Sequence, residues 1–133
     1  ALIIDDDAEV SASLQRVLQI AGYTARIANG GEQGLAEFRR EPADVIITDI
    51  IMPKLNGVQL INLIRREFPK VPIVAISGGG MTGAAGFKPN AVTTSAYLAA
   101  SNKAGANAVL PKPFETRELL ATLDKVIAAA AAG

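Results

Sequence analysis

The stretch Asp44-Val45-Ile46-Ile47-Thr48-Asp49-Ile50-Ile51-Met52-Pro53-Lys54-Leu55-Asn56-Gly57 decides the fold. Val45 to Thr48 are apolar or β-branched, a strand by composition, and the run delivers a carboxylate, Asp49, at its end. Working outward, the same pattern recurs. Leu2-Ile3-Ile4 ends abruptly in Asp5-Asp6-Asp7, Tyr23 to Ala28 reads as a strand before the turn Asn29-Gly30-Gly31, Pro72 to Ile76 delivers Ser77, and Ala108-Val109-Leu110 ends at Lys112. Segments of helical period lie between these runs. Val10, Leu14, Val17, Leu18 and Ala21 mark an amphipathic helix that Gly22 stops. Leu35 and Phe38 share a face of a short second helix closed by Arg39, Arg40 and Pro42, and Val58, Ile61, Ile64 and Phe68 mark a third. A weak helix is expected from about Ser95 to Lys103, and Leu119, Leu120, Leu123, Val126 and Ile127 form the last one. Short strands alternating with helices predict an α/β fold, one doubly wound five-stranded parallel sheet without linker or internal repeat.

In such sheets ligands bind outside the carboxyl ends of the strands. Four of the five expected strands carry a polar functional residue there: Asp5 and Asp6, Asp49, Ser77 and Lys112. Each also has an ordinary reading. An aspartate after a strand is a common turn or helix-capping residue, a serine before three glycines is commonly a turn residue, and a lysine between two prolines is commonly a solvated loop residue. Together they imply more. Three carboxylates converging on one rim repel one another unless a cation neutralises them, so Asp5, Asp6 and Asp49 point to a hard divalent ion. Oxygen-only ligation with room for water suits Mg²⁺. A lysine and a hydroxyl beside a metal-carboxylate cluster are what a transferring phosphoryl group needs for its peripheral oxygens, leaving one carboxylate to attack.

Composition narrows the alternatives. The 133 residues contain no Cys and no His, which removes disulfides, thiol nucleophiles, Ser/His triads and the usual zinc sites. Half of the residues are hydrophobic, a fifth are charged, and the formal net charge is zero, as expected of a globular domain with no direct nucleic-acid partner. No apolar run approaches a membrane span, so no membrane insertion and a cytoplasmic location are expected. The length suits one domain, expected either to stand alone or to be a piece of something larger. Residues 1–127 are taken as the domain, with a Gly-rich insertion at 78–94, and the Ala-rich run 128–133 as a helix tail or an appended stretch.

Four motifs, Ile3-Ile4-Asp5-Asp6-Asp7, the 44–57 stretch, Ile76-Ser77-Gly78 and Leu110-Pro111-Lys112-Pro113-Phe114, resemble the receiver domains of bacterial two-component response regulators, in the same order and over residues 2 to about 127. The resemblance implies a flavodoxin-like receiver fold and a phosphoacceptor module rather than an enzyme. By it, Asp49 takes a phosphoryl group from a sensor histidine kinase or phosphotransfer protein and signals to a downstream effector. Asp5, Asp6, Asp49 and the backbone carbonyl of Ile51 hold Mg²⁺, with Asp6 a more direct ligand than Asp5. Ser77 and Lys112 bind the phosphoryl group, the Lys112-Pro113 bond is cis, and Pro53 and Gly57 shape the loop after the acceptor.

The chain also departs from that pattern. Receivers usually carry Tyr or Phe three residues before the lysine, and Val109 stands there, which puts an aromatic-switch output in doubt. Ser77 and Lys112 are 35 positions apart, longer than is usual in the family, the extra residues running from Gly79 to about Thr93. Ile51 and Gly79, each two residues past a site residue, offer no general base, so an acyl phosphate on Asp49 is expected to decay slowly. Two other functions are open to these residues. A phosphatase of the haloacid dehalogenase type would use Asp5-Asp6-Asp7 as its Asp-x-Asp, but it leaves Asp49 without a role. An adaptor that signals by protein contact alone would leave the whole carboxylate set unexplained.

Overall fold

A computed structural model of the chain describes residues 1–50, 55–77, 104–111 and 114–132, with Ser77 and Ala132 described by backbone alone. Ile51, Lys112, Pro113, the 78–94 insertion and the helix expected at 95–103 lie outside the described residues. The apolar runs pair as five parallel strands: β1 (Leu2–Ile4), β2 (Arg26–Ala28), β3 (Ile46–Asp49), β4 (Ile73–Ser77) and β5 (Ala108–Pro111). Their spatial order is β2-β1-β3-β4-β5. The described helices are α1 (Ala8–Ile20), α2 (Gly31–Arg40), α3 (Gly57–Glu67) and α4 (Thr116–Ala132).

Side chains alternate across each strand, and in a parallel sheet both faces are covered, so consecutive apolar residues go to different cores. Leu2, Ile4, Ile46, Ile73 and Ala75 join Leu35, Phe38, Leu60, Ile61 and Ile64 from α2 and α3. Ile3, Ile47, Val74 and Ile76 join Leu14 and Leu18 of α1 and Leu119, Leu123 and Val126 of α4 on the other face. This two-sided burial explains why the strand runs lack polar alternation. The Phe38 and Phe68 rings meet edge-on with centroids 4.7 Å apart, tying the end of α2 to the end of α3.

Gly22 stops α1 as expected. It takes φ +98°, and the amides of Gly22 and Tyr23 bond back to the carbonyls of Gln19 and Leu18, the double bond of a Schellman turn. The strand expected from Tyr23 is shorter than the sequence suggests and begins at Arg26. Parallel pairing needs a partner, and the register Leu2↔Arg26 leaves residues 23–25 opposite no residue of β1. Their backbone bonds go elsewhere, the Tyr23 amide to the helix end and the Ala25 carbonyl to the side chain of Gln15 at 2.9 Å. At the other end of the chain, α4 continues through the alanines to Ala132, the residue type with the highest helix propensity. Among the described residues no helix is long and apolar enough to cross a membrane.

Arg65, near the end of α3, fastens the amino-terminal edge of the sheet. Its guanidinium donates to the carbonyls of Gly105 at 2.9 Å and Val71 at 2.6 Å, to those of Phe68 and Pro69 at 3.3 Å, and to Oδ1 of Asn107 at 2.5 Å. Asn107 in turn accepts from the Ile73 amide and donates its own amide to the Ile73 carbonyl, both at 2.8 Å. Desolvation lowers the arginine's pKa, and carbonyl dipoles hold the cation.

Replacing Arg65 with Ala strips donors from several partly buried carbonyls and should lower unfolding free energy by about 2–3 kcal/mol. Arg65→Lys should recover only part of the loss, because a point charge cannot reach divergent acceptors as the planar fork does. Urea midpoints of the three proteins check this, and a lysine variant equal to wild type would refute the fork. At the start of α3, a Cβ on Gly57 would lie 2.6 Å from Cα of Ile50 and against the Asp49 carbonyl. Gly57→Ala should therefore destabilise by about 1–3 kcal/mol through overpacking. The same denaturation series reads the effect, and an unchanged midpoint would mean that α3 shifts freely at its first turn.

Candidate functional site

The strand order brings the functional ends together. β1, β3, β4 and β5 are consecutive neighbours, and β2, whose end carries none of the expected site residues, lies at the edge. Asp49 is the last residue of β3 and pairs with Ile76, one residue before Ser77. Ser77 closes β4 opposite Pro111, the residue before Lys112. The order of connection reverses between β1 and β3, the place where doubly wound sheets bind ligands.

Asp5 follows β1 directly, and its amide extends the ladder to the Ala28 carbonyl at 3.1 Å. The strand pairing Ile4↔Thr48 places Asp5 and Asp49 at the same height on adjacent strands. Oxygen atoms from Asp5, Asp6 and Asp49 all lie within 4.8 Å of one another. Asp5 is 4% exposed, Asp49 half-buried and Asp6 exposed, so the cluster opens to solvent on the Asp6 side. Its donors are all hard carboxylate oxygens, which fits Mg²⁺ in chemistry and leaves coordination positions for water.

Asp7 does not join the cluster. Its carboxylate accepts from the amides of Glu9 at 3.0 Å and Val10 at 3.2 Å and caps α1, while its own amide donates to Oδ1 of Asp5 at 2.9 Å. Asp7 is therefore the capping residue, while the carboxylate oxygens of Asp5 and Asp6 lie together with those of Asp49. The division also counts against a dehalogenase-type Asp-x-Asp, which needs Asp5 and Asp7 to work as a pair.

The segment after Asp49 is held from α3. The Ile50 amide donates to the Ile76 carbonyl at 3.0 Å, and the Gly57 amide to the Ile50 carbonyl at 2.7 Å. Asn56 and Gln59 form a reciprocal capping box, with 2.9 Å and 3.0 Å bonds, that fixes where α3 begins. Two hydroxyls at the rim were not singled out from sequence. Thr48 is fully buried and its Oγ1 donates to the Asp49 carbonyl at 2.9 Å; Ser11 is fully buried in the first turn of α1. Ser11 had a readable signal, since it stands three residues before Leu14 and seven before Leu18 on the apolar stripe of that helix. Ile51, whose carbonyl was expected as a ligand, Lys112 and Pro113 lie outside the described residues, as does the side chain of Ser77.

Many known proteins are similar to this chain. The chain is 32% identical over 122 residues to the response regulator MprA of Mycobacterium leprae, covering 92% of this chain and 48% of that protein. It is also 32% identical over 128 residues to the nitrogen assimilation regulatory protein NtrX of Azorhizobium caulinodans, covering 95% of this chain and 25% of that protein. It thus spans about half the length of one relative and a quarter of the other. Among solved structures, a response regulator receiver domain protein from Clostridium thermocellum superposes with a TM-score of 0.81 at 25% identity, over 96% of this chain and 93% of that one. With residues 1–124 matching the response regulator receiver domain and the five-stranded sheet matching that fold, the chain belongs to the response regulator receiver family, whose standard role is to accept a phosphoryl group.

Proposed function

We propose that Asp49 is the phosphoacceptor of this receiver, that Asp5, Asp6, Asp49 and the Ile51 carbonyl hold Mg²⁺, and that the phosphoryl donor is a sensor histidine kinase or a phosphotransfer protein. One observation carries the reading: the carboxylates of Asp5, Asp6 and Asp49 meet within 4.8 Å at the rim where β1 and β3 end. An oxygen of Asp49 forms the bond to phosphorus as the donor's bond to phosphorus breaks, giving an acyl phosphate. Mg²⁺ supplies charge neutralisation to the phosphoryl oxygens and to the three carboxylates.

Within the chain, Asp5 and Asp6 would orient the cation, and Ile50, directly after Asp49, is bonded to Ile76 and to Gly57 so that the nucleophile keeps its place. Ser77 donates a hydrogen bond to the phosphoryl group and Lys112 pairs with it electrostatically. The domain acts as a signalling module with at most slow self-dephosphorylation, because neither Ile51 nor Gly79 can serve as a base for the attacking water. Its conformational change passes to a downstream effector.

A small phosphodonor such as acetyl phosphate, given with Mg²⁺, should add one phosphoryl group by intact-mass spectrometry and none to Asp49→Asn. Asp6→Ala should abolish the Mg²⁺ dependence, and Lys112→Ala should lower labelling at least tenfold (about 1.4 kcal/mol of transition-state stabilisation). Labelled Asp49→Asn would move the acceptor to another residue. After removal of the donor, the wild-type label should persist for many minutes, and rapid loss would reveal a base on the chain itself.

A further inference from the structure

Among the described residues only three polar side chains are buried, Asp5, Ser11 and Thr48, and all three lie at the carboxylate rim. Buried polar groups lower stability unless hydrogen-bonded, so their confinement to one place points to a shared task. Ser11 is fully buried on α1. Its hydroxyl donates to the Asp7 carbonyl at 2.9 Å and reaches the Asp5 carbonyl at 3.5 Å. The Asp7 amide, in turn, donates to Oδ1 of Asp5. Asp6 sits between these two fixed points, exposed, with its carboxylate among the three that converge.

We propose that Ser11 is a positioning residue for the cation site: its hydroxyl, bonded to the Asp7 carbonyl and within reach of the Asp5 carbonyl, holds the Asp5-Asp6-Asp7 turn against α1, so that Asp5 and Asp6 stay converged on Asp49 before the ion arrives. The proposal rests on the Mg²⁺ reading given above. Three like charges in one small volume push the turn to splay, and the strand ladder restrains only its first residue, through the Asp5 amide. Capping by Asp7 fixes the far side to α1, and Ser11 joins the two sides. Loss of the hydroxyl leaves the Asp7 carbonyl with the helical amide of Ser11 at 3.0 Å and removes the contact from α1 to the Asp5 carbonyl, so that only the Asp7 amide on Oδ1 of Asp5 still ties the two sides. The consequence is one of ion selectivity. Mg²⁺ demands near-ideal octahedral geometry at short distance, whereas Ca²⁺ accepts longer and looser arrangements, so a slack turn penalises Mg²⁺ more.

The experiment is calorimetric titration of Mg²⁺ and, separately, Ca²⁺ into the wild-type chain and into Ser11→Ala, Ser11→Cys, Ser11→Thr and Asp6→Ala. Ser11→Ala should bind Mg²⁺ roughly three- to tenfold more weakly, the range set by one hydrogen bond, with a smaller loss for Ca²⁺. Ser11→Thr, which keeps the hydroxyl, should restore the Mg²⁺ affinity. Ser11→Cys fills the same space with a weak donor and should behave as Ser11→Ala does, which secures the test if the alanine variant does not fold. Equal Mg²⁺ affinity in Ser11→Cys and wild type, or equal losses for both ions, would overturn the clamp while the metal site stands. A wild-type chain that takes up no Mg²⁺, or an Asp6→Ala variant that binds it unchanged, would instead bring down the metal reading and the clamp with it.

Discussion

The register of β1 against β3 forces like charges together, and much of the molecule serves to hold them there. Pairing Ile4 with Thr48 leaves Asp5 and Asp49 as the next residues on two adjacent strands, and the exposed Asp6 follows with its carboxylate turned to the same place. Such crowding is unfavourable in the absence of a neutralising cation and must be offset elsewhere in the molecule. The offset comes from below, where the strands carrying the rim are fully buried on both faces between two layers of helices. A site of this kind needs a stiff sheet, and the apolar continuity of the strands is what makes it stiff.

How much of this could be read from the chain follows from the range of each interaction. The strands at Leu2, Ile46, Ile73 and Ala108 were legible because two-sided burial writes itself as unbroken apolar runs, and the helices because one-sided burial writes itself as a 3.6-residue period. The strand at Tyr23 was overextended because a strand's length depends on its partner, and β1 offers only three residues to pair with. The convergence of Asp5, Asp6 and Asp49 was legible from their places at strand ends, since topology does the rest. The separate role of Asp7 was not, because capping and clustering both begin with an aspartate after a strand.

The role of Arg65 was illegible for another reason. Its partners Gly105 and Asn107 stand 40 and 42 residues away, one a backbone carbonyl and the other an asparagine side chain that no local pattern marks. Val109, where the family usually carries an aromatic residue, is half-buried and packs against the core between the sheet and α2 and α3. A branched aliphatic fits that place as a core residue, which is how its composition reads.

The division of the interior by the sheet has a consequence for genetics. Ile3 and Ile4 are covalent neighbours, yet they belong to different cores, whereas Ile3 and Ile47 are remote in sequence and share one. Energetic coupling follows contact, so truncations at Ile3 and Ile4 should combine almost additively, and truncations at Ile3 and Ile47 should not. Variation at one face of the sheet can then drift without compensating change at the other. A double-mutant cycle on each pair would show interaction energy only where the core is shared, and compensating substitutions in this chain should be sought across the strands of one layer rather than along the strand.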